Sequence, residues 1–225
     1  AQIAIQSGHE VWLYDAKDGA AQAAQAKLQL TLNQLADKGK FSHAQAEQDL
    51  ARLHIAERLE DLAECDLVVE AIIEQLEIKQ NLMEQLESVL KPDAIIASNT
   101  SSLSITAIAS TCQQPERIVG YHFFNPVPLM KVVEVIQGFY TRDDLVEALV
   151  ALSHKMGHRP VVAKDTPGFI INHAGRAFGS EAYAILSEQV APFYEIDRIY
   201  REGIGFKMGP FELGDLTGMD VSHPV

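Results

Sequence analysis

Cysteine, basic charge and long apolar runs are all scarce in this chain. Among its 225 residues only Cys65 and Cys112 are cysteines. They lack C-x-x-C spacing, so the chain has neither a disulfide framework nor a zinc-ribbon pattern. Two reduced thiols of the cytosolic type are expected instead. Lys and Arg number 18 against 31 Asp and Glu, a net charge of −13. That balance argues against a nucleic-acid surface, which needs a basic face. A phosphorylated ligand remains compatible, because a few lysines or a helix N-terminus can hold one. No apolar run approaches the roughly 20 residues of a membrane span. A G-x-S-x-G elbow, a Walker loop, a G-x-G-x-x-G turn and internal repeats are also missing. His154 and His158 are four apart, but Gly157 lies between them and no companion ligand follows, so no metal site is expected.

The chain has no initiator Met. Its opening run AQIAIQSG (1–8) reads as the end of a helix stopped by Gly8, and SHPV (222–225) ends it as abruptly. We therefore expect an internal stretch of a longer protein, and a removed targeting segment before residue 1 is compatible with this. With 47% hydrophobic residues, the chain can fill one large domain, or one domain and part of another.

Apolar periodicity predicts strands at 11–15, 66–73, 94–97, 118–121, 132–136 and 160–163. It predicts helices at 20–35, 42–52, 74–90, 104–111 and 143–156, the last with Thr141 as N-cap and Gly157 as stop. Strands alternating with helices imply βαβ units, hence an α/β Rossmann-like fold with a mostly parallel sheet. The helices at 20–35 and 42–52 form a hairpin inserted after 11–15, which has the form of a second Rossmann strand. Beyond the DTPG turn (165–168) the pattern becomes almost wholly helical, at 169–187 and 196–202. This divides the chain into a Rossmann-like domain at 1–165 and the start of an all-α domain at 166–225.

His122 ends one strand, and Glu134 lies at the centre of the next. Between them Pro126 and Pro128 exclude a helix. A strand, a rigid turn and a return strand can bring an imidazole beside a carboxylate, the usual construction of a general base near neutral pH. By themselves the two residues could equally be a core histidine and a strand glutamate. Asp15 ends a strand, where an acid binds the adenosine ribose of NAD and repels the phosphate of NADP; it could also cap a turn. Glu74 and Lys79 follow a parallel strand at its carboxyl end, where such sheets bind ligands. They read otherwise as a helix-start acid and a solvated lysine. The polar run SNTSS (98–102) exceeds what one helix cap needs. Asn172 falls in the first turn after Pro167, where an exposed helical Asn is the plainer reading.

Taken together, VEA (69–71), SNTSSL (98–103), HFFNP (122–126), VEV (133–135) and PGFIIN (167–172) resemble the L-3-hydroxyacyl-CoA dehydrogenase family, in the family's order and along the whole chain. The resemblance implies that His122 is the catalytic base, that Glu134 orients it, and that Ser101 and Asn172 complete the catalytic group. It implies NAD contacts at Asp15, Glu74, Lys79, Asn99 and Asn125. Lys38 and Lys40 in the helical hairpin would meet the CoA phosphates, with Ser101 also touching the substrate. The expected activity is NAD-dependent oxidation of a (3S)-hydroxyacyl-CoA in fatty-acid β-oxidation or phenylacetate degradation. A cytoplasmic homodimer joined through the helical domain is expected, with no nucleic-acid or membrane partner. Two departures stand out. The glycine-rich cofactor loop is not present, and the family's usual Asn-Arg is Asn172-His173. The run GPFELGDLTG (209–218) is similar to long bacterial forms, including dehydrogenases acting on 3-hydroxyadipyl-CoA. A dehydrogenase of free 3-hydroxyacids and a catalytically silent NAD-binding relative remain the alternatives.

Overall fold

The computed structural model describes residues 1–218; the chain end at 222–225 lies outside them. The chain divides into two units, one of residues 1–100 and 105–164, the other of residues 101–104 with the stretch from 165 onward.

The first unit is a Rossmann-like α/β layer. After the short helix α1 (Gln2–Gln6), β1 (Val11–Leu13) pairs in parallel with β2 (Leu53–Ile55). Between them run α2 (Ala20–Asp37) and α3 (His43–Leu50), the expected hairpin. Ser42 caps α3 by accepting a bond from the Gln45 amide at 3.1 Å. Strand β2 escapes sequence reading because three residues are too few to establish a period. Leu53 packs with Ile5, Leu32 and Ala46 in a small core under the hairpin.

A second sheet takes the order β3 (Leu67–Glu70), β4 (Ile95–Ser98), β5 (Ile118–Phe123), β6 (Val132–Gln137), β7 (Arg159–Lys164). All neighbours are parallel except β5 and β6. The helices α4 (Leu76–Val89), α5 (Ile105–Ala109) and α6 (Asp143–Lys155) cover it. Val119, Tyr121, Val133 and Val135 from the centre of this sheet pack with Val146 and Leu149 of α6. Each fully buried aliphatic chain of this kind stabilises the fold by about 1.5–3 kcal/mol.

Among the described residues the two sheets are not joined. Strand β1 pairs with β2 and β3 with β4, and a cleft of about 1800 Å³ lies along β1 and β3, lined by residues of both. Strand β3 is shorter than the predicted 66–73: it stops at Glu70, and Val69 and Ile73 are 40% and 58% exposed.

Helix α6 begins at Asp143 without a side-chain cap, so Thr141 is not its N-cap. The Thr141 hydroxyl instead donates to the Ile118 carbonyl at 2.6 Å and accepts from the Gly138 amide at 3.0 Å. Acids in the first turn, Asp143 and Asp144, and basic groups in the last, His154 and Lys155, complement the helix dipole.

In the second unit, α7 (Ile171–Ser187) starts two residues later than expected. Gly168 and Phe169 both have positive φ, which helical backbone does not allow. Helix α8 (Phe193–Arg198) continues into a π-turn at Ile199–Ile204, and α9 (Pro210–Thr217) follows. The buried Asp197 carboxylate accepts from the Phe211 and Glu212 amides at 2.9 and 3.2 Å and so caps α9. A Cβ on Gly209 would lie 2.2 Å from Asp197 Oδ1, so only glycine fits at that place.

Candidate active site

His122 and Glu134 face each other because β5 and β6 are antiparallel and in register, His122 opposite Glu134. The Nδ1 of His122 lies 2.7 Å from Glu134 Oε2, and both side chains are buried. An ionised carboxylate only accepts, so Nδ1 is the donor to Glu134, and in the neutral imidazole Nε2 carries the lone pair. The imidazole also packs against the Phe124 ring, centroids 4.5 Å apart. The connection between the strands is fastened by His158, a buried histidine whose ring nitrogens stand 3.1 Å from the carbonyls of Met156 and Val127.

Several expected cofactor residues meet at the cleft, which Asp15, Asn99 and Asn125 line. Asp15 is exposed at the end of β1, and its Oδ1 also accepts the Lys17 amide at 2.8 Å. It therefore closes a turn while facing the cleft. Asn99 Oδ1 accepts the Phe123 amide at 2.8 Å, tying β4 to β5. The NH2 of its carboxamide is then the part that can donate to a ligand. Asn125 is exposed beside Pro126, in a cis peptide.

Lys79 is not the solvated lysine that its place on a helix suggests: it is 1% exposed. Its Nζ lies 2.6 Å from Glu70 Oε1, 3.2 Å from Glu74 Oε2 and 3.3 Å from the Ile72 carbonyl. Those three acceptors match the three protons of an ammonium. Glu74 is partly exposed, and its Oε1 accepts the Thr100 hydroxyl at 2.5 Å. Sequence reading missed Glu70, Ser98 and Thr100, the buried polar groups behind this arrangement. The available signal was an acid inside an apolar strand, since a buried carboxylate requires a partner.

Lys38 and Lys40 are exposed at the turn between α2 and α3, and the structure does not join them to the His122 group. Ser101 and Asn172 belong to the second unit, where the Asn172 carboxamide approaches the Ser101 carbonyl at 3.4 Å. Ser104 donates to Asp165 at 2.7 Å in the same unit. Among the described residues no cluster of His, Cys, Asp and Glu could hold a metal ion, and no helix is long and apolar enough to cross a membrane.

Residues 1–166 match the family model described as the NAD binding domain of 3-hydroxyacyl-CoA dehydrogenase, and residues 168–225 match its C-terminal domain. The chain is 44% identical to the 3-hydroxyadipyl-CoA dehydrogenase of Escherichia coli (strain K12) over all of its 225 residues, which is 47% of that protein. It is 41% identical to a probable 3-hydroxybutyryl-CoA dehydrogenase of Deinococcus radiodurans, over 98% of this chain and 79% of that one. The crystal structure of a 3-hydroxybutyryl-CoA dehydrogenase from Escherichia coli K12 superposes with a TM-score of 0.96 at 44% identity, covering 98% of this chain and 47% of that one. The chain thus spans about half the length of the first of these relatives. An in-register His–Glu pair on a Rossmann-like sheet, two matching domain models and identities above 40% agree: this chain belongs to the 3-hydroxyacyl-CoA dehydrogenase family.

Proposed function

We propose that the protein oxidises (3S)-hydroxyacyl-CoA to 3-oxoacyl-CoA with NAD, in fatty-acid β-oxidation or phenylacetate degradation. The observation that carries this reading is the buried His122–Glu134 pair, 2.7 Å apart. Glu134 holds the Nδ1 proton, so Nε2 of His122 takes the proton of the substrate hydroxyl. Positioned acid–base help of this kind is worth about 10²–10⁴-fold in rate. Bound NAD supplies the hydride acceptor.

The donor set of the cleft suits a dinucleotide. An exposed carboxylate at the end of β1 fits a ribose diol and disfavours a 2′-phosphate. Asn99 and Asn125 contribute carboxamides along the same cleft. Glu74 meets the cofactor with Lys79 supporting it from beneath. Ser101 and Asn172 hydrogen-bond the reacting oxygen and hold a near-attack geometry, and Lys38 and Lys40 meet the CoA phosphates. A 3-hydroxyadipyl or 3-hydroxybutyryl acyl group is the proposed substrate range, supported by the names of the relatives.

The full-length protein is proposed to be a cytoplasmic homodimer. The exposed apolar groups of the helical unit, Val190, Phe193 and Tyr194 among them, support the dimer, and two free thiols support the compartment. The deciding assay follows NADH oxidation by acetoacetyl-CoA in the full-length protein and its His122→Gln variant. Loss of about 10²-fold or more in kcat is expected; a wild-type rate in the variant would overturn the assignment. Comparing CoA esters with free 3-hydroxyacids separates the nearest alternative, and NADH binding without turnover would indicate a silent relative.

A further inference from the structure

We propose that Glu70 is a positioning residue for the cofactor: its buried carboxylate shares Lys79 with Glu74 and so sets Glu74 and the 98–100 turn in their ligand-ready places. The inference rests on the reading that this cleft takes NAD.

Three segments converge on the one carboxylate. Oε1 accepts the Ile72 amide and the Lys79 ammonium, both at 2.6 Å, and Oε2 accepts the Ser98 hydroxyl at 2.6 Å. The Glu70 backbone carbonyl also accepts the Asn99 amide at 2.8 Å. Glu70 therefore anchors the loop after β3, the first turns of α4 and the end of β4, which carries Asn99.

Exposure separates the two acids around Lys79. The side chain of Glu70 is 0% exposed and that of Glu74 34%, so Glu74 can reach a ligand and Glu70 cannot. Lys79 stands closer to Glu70 than to Glu74, 2.6 against 3.2 Å. Glu74 thus meets Lys79 through Oε2 and accepts from Thr100 through Oε1. Without the Glu70 charge the buried ammonium has one counter-ion instead of two, and an under-compensated buried charge is strongly unfavourable. Glu74 would be drawn inward, away from Thr100, and the turn bearing Asn99 would loosen with it.

The test uses the full-length protein. Glu70→Gln keeps the shape and removes the charge. We expect KM for NAD to rise about tenfold or more, with kcat and the acyl-CoA KM changing less than about threefold. Glu70→Asp keeps the charge on a shorter stem and is expected to hold the NAD KM within about threefold of wild type. A role in shape alone would not favour Asp over Gln, since Gln is the closer match in shape to Glu. Should Glu70→Gln fail to fold, Ser98→Ala removes one donor without unbalancing charge, and an increase of about two- to fivefold in the NAD KM is expected. An unchanged NAD KM in the folded variant overturns the proposal. So does a Glu70→Asp defect as large as that of Glu70→Gln. Failure of the wild-type protein to bind NADH would instead overturn the underlying reading, and is told apart by titrating wild type first.

Discussion

Glu134 stands directly across the β5–β6 pair from His122, its Oε2 2.7 Å from Nδ1 and its side chain wholly buried. Glu134→Gln preserves the shape but removes the charge that holds the proton on Nδ1. A fall in kcat of about 10²-fold is expected, with little change in KM for NAD. A variant that keeps kcat within about threefold would show that Glu134 does not govern the imidazole.

Gly120 is required by its neighbours across the same pair of strands. A Cβ there would lie 2.6 Å from Ile136 Cβ and 2.9 Å from Ile105 Cδ1. The Ile136 Cβ is fixed to its backbone and cannot swing aside, so Gly120→Ala should destabilise the protein by about 1–3 kcal/mol. Chemical denaturation checks this as a lower midpoint at unchanged slope.

Asp197 caps α9 from within the helical unit. Asp197→Ala is expected to cost up to about 2 kcal/mol and to fray that helix, with Asp197→Asn milder. Hydrogen exchange at the Phe211 and Glu212 amides reports it directly. Unchanged protection at both amides in the alanine variant would contradict the capping role.

Two groups should make the fold sensitive to alkali. Burial pushes the Tyr121 phenol up to about 12, partly offset by its bond to Ser153, and burial with nearby Glu87 and Glu84 pushes the Cys112 thiol up to about 11. Both are acids whose neutral form is favoured in the folded state. Their contribution is complete below the unfolded values of 10.0 and 9.0. It is lost as pH rises through the folded ones, where the unfolded chain holds fewer protons. Thermal midpoints should therefore drop as pH climbs above about 9. Alkylation of Cys112 should be slow at neutral pH, because the thiolate is the reactive form. Rapid labelling of Cys112 at neutral pH would contradict this.

The βαβ alternation and the His–Glu strand pair were legible in the sequence because both rest on long, strongly periodic or proline-marked segments. The short strand β2 was not, since Leu53, His54 and Ile55 fill no period. Thr141 looked like a cap because it precedes a helix; only the fold shows that its hydroxyl is engaged by Ile118 and Gly138. The burial of Lys79 is illegible for a similar reason. A lysine on a helix is usually solvated, and nothing local announces that two acids, one nine residues earlier in a strand, will surround it. Tertiary partners decide such cases, and they are encoded across the chain and not in any one segment.

The antiparallel joint between β5 and β6 makes the chemistry sensitive to length. Side chains alternate faces along a strand, so a shift of pairing by one residue would exchange Glu134 for Val133 or Val135 opposite His122. The pairing at both ends of residues 124–131 therefore constrains the length of that connection. The exposed turn between α2 and α3 bears no such pairing and can absorb insertions. Where the chain tolerates an added residue is thus a direct map of where its catalytic register is kept.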